Sequence, residues 1–264
     1  MDFARLYVII AQKKNIMIIL KLFYSVFFFS YMIAMLLISV ACLYAASVFK
    51  KDKGEFLFLG SKSWARRLIL PVIAKVKMVG LENIPKGKPV IYVSNHQSYF
   101  DIPVLLAYLP GSFRFIVKKE FFSAPVFGGF TRRSGHLSVD REVGSEAHKT
   151  LLEAASLLNA GKSVIIFPEG TRSRDGALGK FKRGGFAIAF ESGAPIVPVA
   201  ISGSYKIMRR NAPLLWPSRV TVRIDKPISL TKVEKPTREL YDKTMAFVRD
   251  RIEKMLAEKI ETDQ

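Results

Sequence analysis

The sequence is poor in cysteine, histidine and acidic residues. Its 264 residues include one cysteine, Cys42, and three histidines, and 41 lysines and arginines outnumber 22 acidic residues, for a formal net charge of +19. A single cysteine excludes a disulfide framework within the chain and fits a reducing compartment. The chain has no HExxH motif and no Cys/His ligand cluster. We therefore expect neither a metal nor a cofactor.

The excess of basic residues requires an anionic partner, which could be nucleic acid, an acidic protein or an acidic lipid surface. Nucleic acid is disfavoured, because the basic residues are spread along the chain and no helix-turn-helix, RNP or zinc motif is present. A serine hydrolase is disfavoured as well, since neither Ser98 nor Ser173 lies in a G-x-S-x-G elbow. A membrane surface and an acidic protein remain as candidate partners.

Residues 22–49 contain no charged residue, no proline and no glycine. A run longer than about 18 apolar residues is a transmembrane candidate, and it exceeds the roughly 7–15 residues of a signal-peptide core. Basic residues on both flanks favour a hairpin in one leaflet, whereas the lack of a breaking residue favours one tilted helix. The sequence leaves both open. A slight excess of basic residues after the run places the C-terminal side in the cytoplasm.

Residues 55–77 are amphipathic and basic, with Lys62, Arg66 and Arg67 among large apolar side chains. Two interpretations remain open: a segment lying on an anionic membrane surface, or an ordinary amphipathic helix packed on the following domain. We expect residues 1–74 to form the membrane anchor and interfacial segment and residues 75–264 to form the catalytic domain.

Short apolar runs in the second part of the chain predict strands at residues 90–93, 113–117, 163–167, 196–201 and 220–224. Helical periodicity between and after them predicts helices at residues 102–109, 146–160, 186–192 and 237–259. Alternating strands and helices predict an α/β fold with a mixed, largely parallel sheet flanked by helices.

Two polar segments follow predicted strands. Residues 94–101 read SNHQSYFD and residues 167–174 read FPEGTRSR. The carboxyl ends of strands are where open α/β sheets place their active sites. In the first segment, a turn can bring Asp101 to the imidazole of His96, fixing its tautomer. In the second, a glycine-containing turn can aim N–H groups at an oxyanion, and Arg172 can hold a phosphate with two parallel hydrogen bonds.

Together the two segments resemble the 1-acyl-sn-glycerol-3-phosphate acyltransferase family, the lysophosphatidic acid acyltransferases. NHQSYFD at 95–101 is similar to the first sequence block of that family and FPEGTRS at 167–173 to its third. VDR at 139–141 and IVPV at 196–199 are similar to parts of its second and fourth blocks. The resemblance covers roughly residues 75–225, in the family order.

The resemblance implies a glycerolipid acyltransferase fold and a role for each matching residue. His96 would be the general base and Asp101 the residue that orients it. The acceptor and its phosphate would be bound by a larger set: Lys118, Arg141, Glu169, Gly170, Thr171 and Arg172. Of these, the backbone of Gly170 and the side chain of Lys118 would face the thioester oxyanion, and Arg141 and Arg172 would bind the phosphate.

The implied reaction moves a fatty acyl group from a thioester, on acyl carrier protein or coenzyme A, to the sn-2 hydroxyl of lysophosphatidic acid. The product is phosphatidic acid, a phospholipid precursor. Glycerol-3-phosphate or a lyso-aminolipid is the alternative acceptor. We expect the protein at the cell membrane with its catalytic domain on the cytoplasmic face.

Overall fold

The computed structural model describes residues 3–139, 144–210, 214–233 and 235–258. The strands are β1 (Ile73–Val79), β2 (Ile91–Ser94), β3 (Phe113–Lys118), β4 (Leu137–Val139), β5 (Ser163–Ile166), β6 (Ile196–Ser202) and β7 (Ser218–Ile224). The helices are α1 (Phe3–Ser47), α2 (Lys53–Ile69), α3 (Asp101–Tyr108), α4 (Lys119–Phe122), α5 (Phe127–Arg133), α6 (Gly144–Asn159), α7 (Arg183–Ser192), α8 (Ser204–Ile207) and α9 (Arg238–Ala257).

The strands form one sheet in the order β1-β7-β6-β2-β5-β3-β4. All neighbouring pairs are parallel except β6 and β7, which run antiparallel. Strand β2 lies between β5 and β6, with Ile91 opposite Val164 on one side and Ile196 on the other. The predicted mixed, largely parallel sheet is confirmed.

Helices cover both faces of the sheet, because its central strands are apolar on both sides. On β2, Ile91 and Val93 belong to one core cluster, which includes buried residues of α6, α7 and α9. Tyr92 belongs to the other cluster, which includes buried residues of α2 and α3 together with Phe28 of α1. The result is a three-layer α/β/α arrangement that holds the ends of β2 and β5 in fixed positions.

The N-terminal apolar run forms one uninterrupted helix, α1, rather than a hairpin. Within the described residues, its stretch Asn15–Ser47 is the one helix long and apolar enough, by length and composition, to cross a membrane. One side of α1 contacts the domain: Phe28 is 1 % exposed and packs on Phe100, and Val40 packs with Phe130. The opposite side exposes large apolar side chains such as Phe23, Val26, Phe27, Ile33, Leu37 and Ile38.

Helix α2 packs on the domain, and two of its basic residues contact the end of α3. Nζ of Lys62 donates to the carbonyl of Leu109 at 2.6 Å, and Nε of Arg66 donates to that of Ala107 at 2.9 Å. Both acceptors lie at the C-terminal end of α3, where carbonyl groups have no partner within the helix. Burial lowers the pKa of Lys62 to about 8. The packed-helix interpretation of residues 55–77 therefore describes the structure, although the last part of that segment is strand β1.

A buried arginine joins α2 to the sheet. Arg114 of β3 is 1 % exposed, and its Nη2 donates to Oε2 of Glu55 at 2.8 Å. Its guanidinium lies 4.2 Å from the ring centre of Phe58. Nearby, Nδ1 of His136 accepts from the N–H of Phe115 at 3.1 Å. Burial, assisted by the positive charge of Arg114, lowers the pKa of His136 to about 3, so this histidine is a neutral structural residue.

Candidate active site

Two loops meet at the carboxyl end of the sheet, because β2 and β5 are parallel neighbours. The loop after β2 carries residues 95–101, and the loop after β5 carries residues 167–174. The N–H of Ser173 donates to the carbonyl of His96 at 2.8 Å, which joins the loops directly. The structure thus brings the two sequence segments into contact.

Asn95 holds the start of the first loop against β6. Its Nδ2 donates to the carbonyl of Ile201 at 2.9 Å, and its Oδ1 accepts from the N–H of the same residue at 2.7 Å. The side-chain amide therefore reproduces the pairing of a neighbouring strand, and it is 1 % exposed. This fixes the backbone that leads into His96.

His96 and Asp101 are in contact. Nδ1 of His96 lies 2.8 Å from Oδ2 of Asp101, and this oxygen also accepts from the N–H groups of Gln97 at 2.7 Å and Ser98 at 2.8 Å. Asp101 is fully buried as the first residue of α3, whereas the His96 side chain is 15 % exposed. A carboxylate that receives Nδ1–H leaves Nε2 as the basic nitrogen of the imidazole.

Phe167 supports the imidazole from one side. The two rings are stacked, with their centres 4.2 Å apart and their planes at 19°. This contact was not predicted from the sequence. The sequence position of Phe167 could have indicated it. Phe167 directly follows β5 just as the loop of His96 follows β2, so the two rings lie at the same edge of the sheet.

Glu169 connects the loops through backbone groups. Oε1 accepts from the N–H of His96 at 2.7 Å, and Oε2 accepts from the N–H of Gly179 at 2.8 Å. Burial raises the pKa of Glu169, and these two donors act in the opposite direction. A methyl group on Gly179 would lie 2.6 Å from Oε2, so an alanine there would require the carboxylate of Glu169 to shift. Within the described residues, the contacts of Glu169 thus position the base.

Gly170 makes the turn that follows. Its φ of 72° lies in the left-handed region, which glycine adopts at no steric cost. Its N–H donates to the carbonyl of Phe167 at 3.0 Å. The oxyanion contact expected of this N–H would have to compete with that hydrogen bond. Thr171 lies exposed beside the turn.

Arg172 presents an unused donor. Its Nη1 is buried and makes no hydrogen bond within the described part of the chain. Its guanidinium lies 3.4 Å from the ring centre of Tyr99, and its carbonyl accepts from Nη1 of Arg210 at 3.1 Å. Buried donors rarely remain unpaired in native proteins, so this group is suited to an anionic ligand.

The remaining predicted binding residues lie elsewhere or are not described. Lys118 ends β3, the strand next to β5, and its ammonium pairs with the carboxylate of Glu120. Arg141 lies outside the described residues, and so does the side chain of His148. In this structure Lys118 therefore belongs to the same edge of the sheet without contacting His96 in the described hydrogen bonds.

The nearby serine hydroxyls have other partners. Oγ of Ser98 donates to the carbonyl of Met208 at 3.1 Å, and Oγ of Ser173 donates to Oδ1 of Asp175 at 3.0 Å. Cys42 lies exposed on α1. These contacts fit an imidazole that activates an external hydroxyl rather than a serine or cysteine of the protein.

Comparison with known proteins agrees with this geometry. A family model described as Acyltransferase matches residues 75–202, which include both loops. The 1-acyl-sn-glycerol-3-phosphate acyltransferase LPAT1, chloroplastic, of Arabidopsis thaliana is 39 % identical over 189 residues, covering 71 % of this chain and 52 % of that protein. The chain belongs to the 1-acyl-sn-glycerol-3-phosphate acyltransferase family.

Other family members are similar over comparable lengths. The human 1-acyl-sn-glycerol-3-phosphate acyltransferase alpha is 30 % identical over 67 % of this chain and 61 % of its own length. The crystal structure of the 1-acyl-sn-glycerophosphate (LPA) acyltransferase PlsC from Thermotoga maritima superposes with a TM-score of 0.75 at 26 % identity, covering 90 % of this chain and 96 % of that one. The chain spans about half the length of the first curated relatives it matches.

Proposed function

We propose that this protein transfers a fatty acyl group from an acyl thioester to the sn-2 hydroxyl of lysophosphatidic acid, forming phosphatidic acid for phospholipid synthesis. The observation that carries the proposal is the contact of His96 with a fully buried Asp101, beside an arginine with an unused buried donor. The first pair supplies a base for a hydroxyl, and the arginine supplies a group for a phosphate. The names of the similar proteins support the same reaction.

In the proposed mechanism, Nε2 of His96 takes the proton of the acceptor hydroxyl while its oxygen attacks the thioester carbonyl carbon. The tetrahedral intermediate then collapses, the carbon–sulfur bond breaks, and the imidazolium returns its proton to the leaving thiolate. Asp101 stabilises the imidazolium formed between these steps. General base catalysis of this kind contributes about 10²–10⁴-fold. The acyl group moves directly, without an intermediate on the protein.

The acceptor site would combine residues of both loops. Arg172 and Arg141 would bind the phosphate, and Lys118 would add positive charge at the neighbouring strand. Gly170 and Thr171 would shape the turn against which the acceptor lies. Glu169 would contribute by holding the backbone of His96, as its contacts with the N–H groups of His96 and Gly179 support.

The donor would be acyl carrier protein or acyl-coenzyme A, both of which are anionic and complement the net charge of +19. The exposed apolar side of α1 would rest in an anionic membrane, with the catalytic domain on the cytoplasmic face. In this arrangement residues 1–74 anchor the domain formed by residues 75–264, although α2 also contributes to its core. Glycerol-3-phosphate or a lyso-aminolipid is the alternative acceptor.

The phosphate site is tested by Arg172→Ala in the full-length protein. Losing a charge-assisted contact worth about 1.5–3 kcal/mol should raise the acceptor KM roughly 10- to 100-fold and leave the donor KM unchanged. The control is Arg174→Ala, which removes an exposed arginine of the same loop. Product formation is followed by mass spectrometry. Equal use of lysophosphatidic acid and uncharged monoacylglycerol by the unmodified protein would contradict the phosphate site.

A further inference from the structure

The catalytic loop carries a side chain that the reaction chemistry does not use. Tyr99 lies between His96 and Asp101 in sequence, yet it is 45 % exposed and belongs to neither core. Its ring covers one face of the Arg172 guanidinium, with 3.4 Å between the guanidinium carbon and the ring centre. This is the shortest of the cation–ring distances among the described residues.

The neighbours of Arg172 hold its guanidinium in place and leave its N–H groups available for a ligand. Tyr99 restrains the guanidinium by stacking on its planar face, with the central carbon 3.4 Å from the ring centre. Arg210 restrains the main chain by donating to the carbonyl of Arg172. The edge of the guanidinium is thereby left available, and its Nη1 is buried with no partner in the described structure. An arginine stacked in this way loses less freedom when it binds an anion.

We propose that Tyr99 is a positioning and specificity-determining residue for the acceptor phosphate: it stacks on Arg172 and keeps that arginine in the orientation that binds a phosphomonoester. The role rests on the proposed function, in which Arg172 binds the acceptor phosphate. Because Tyr99 belongs to the same short loop as the base, the loop sets the distance between the bound phosphate and the nitrogen that deprotonates the hydroxyl. The contact between Tyr99 and Arg172 therefore joins the loop that carries the base to the loop that binds the phosphate.

This role predicts a defined kinetic pattern for the full-length protein in detergent. Tyr99→Leu should raise the KM for lysophosphatidic acid about 3- to 10-fold, the range expected from losing a partly exposed cation–π contact. The donor KM should not change, and kcat at saturating acceptor should change little. Tyr99→Phe keeps the aromatic face and should behave like the unmodified protein. Tyr108→Leu, which truncates another exposed tyrosine at the end of α3, should have no effect on the acceptor KM.

A double substitution separates this proposal from the proposed function. In the Arg172→Ala background, Tyr99→Leu should add no further rise in the acceptor KM, because the stacking partner is already missing. If Arg172→Ala raises the acceptor KM but Tyr99→Leu does not, or if the two effects simply multiply, the positioning role is refuted and the phosphate site stands. If Arg172→Ala leaves the acceptor KM unchanged, the phosphate site itself is refuted, and the role of Tyr99 with it.

A preference ratio provides a readout that general loosening of the fold would not produce. We expect Tyr99→Leu to lower the ratio of kcat/KM for lysophosphatidic acid over monoacylglycerol, whereas Tyr99→Phe and Tyr108→Leu should preserve it. Thermal unfolding of each variant checks that the fold is intact. A ratio that stays constant in Tyr99→Leu would overturn the assignment of specificity to this ring.

Discussion

Replacing Asp101 by asparagine removes one charge from a site whose hydrogen bonds restrict how the new side chain can lie. Oδ2 accepts from Nδ1 of His96 and from the N–H groups of Gln97 and Ser98. If the amide nitrogen of the asparagine replaced Oδ2, it would face three hydrogen-bond donors and could accept from none of them. The amide oxygen should therefore occupy the position of Oδ2. The asparagine can then still accept from Nδ1–H, and the substitution chiefly removes the negative charge.

The size of the effect follows from that geometry. Two unit charges 2.8 Å apart attract by about 6 kcal/mol at an effective dielectric constant of about 20. If roughly half of the imidazolium charge has developed in the transition state, the loss is about 3 kcal/mol, or about 10²-fold in kcat. Orienting the oxygen toward His96 leaves Nδ2 at the place of Oδ1, which is buried without a described partner. Because the three donors to Oδ2 would bond a neutral oxygen instead of a charged one, we also expect a loss of stability of about 1–3 kcal/mol.

The assay measures formation of phosphatidic acid at saturating lysophosphatidic acid and acyl thioester. His96→Ala is the reference for complete loss of the base, and Asp242→Asn is the control, since it neutralises an exposed carboxylate paired with Arg183. The acceptor KM of Asp101→Asn should stay within about twofold, because Arg172 is unchanged. A correctly folded Asp101→Asn protein with kcat within about threefold of the original would refute the role assigned to this carboxylate.

Two further predictions concern Gly179, which contacts Glu169, and His136, which lies beside Arg114. Gly179→Ala should displace Glu169, because the new methyl group would lie 2.6 Å from Oε2, and it should lower kcat at least about tenfold. Gly184→Ala is the control, since its methyl group would meet nothing within 4 Å and should leave kcat unchanged. Equal kcat values for the two variants would contradict the contact between Gly179 and Glu169. The pKa of His136 is about 3 in the folded state and about 6.5 in the unfolded state, so only the unfolded protein binds a proton between these pH values. The contribution of His136 to the free energy of unfolding is therefore present above pH 6.5 and is lost on acidification toward pH 3, by up to about 1.4 kcal/mol per pH unit. The free energy of unfolding, measured with urea at several pH values between 7 and 5, should fall less steeply with decreasing pH in His136→Gln than in the unmodified protein. An unchanged pH dependence would assign the acid sensitivity to other groups.

The sheet was largely predictable from the sequence, and its two missed strands have a common cause. The five predicted strands correspond to β2, β3, β5, β6 and β7, whose apolar runs are buried between two helical layers. Strand β1 lies at the edge and alternates lysines with apolar residues, so its pattern merges with that of the preceding amphipathic helix. Strand β4 has three residues, too few to give a period.

The candidate site was predictable as a pair of loops but not in its contacts. The sequence allowed a contact between His96 and Asp101, since a turn can bring the two side chains together, and the family resemblance implied their roles. The bond from Glu169 to the backbone of His96 depends on how two loops pack, and so does the stacking of Tyr99 on Arg172. Likewise, an apolar helix such as α1 has no pattern that distinguishes its packed side from its exposed side.

The way α1 lies on the domain determines which measure of acceptor concentration would control the reaction rate. It contacts the domain from Tyr24, whose hydroxyl donates to the carbonyl of Pro71, to Tyr44, which packs near Phe130. That interval is about 30 Å at ~1.5 Å per residue, so a bilayer that held the exposed side of α1, as proposed, would also hold the catalytic domain flat against its surface. An acceptor drawn from that bilayer would diffuse in two dimensions, and its mole fraction in the membrane would govern the rate. Adding inert phospholipid at constant total acceptor should then slow turnover by surface dilution.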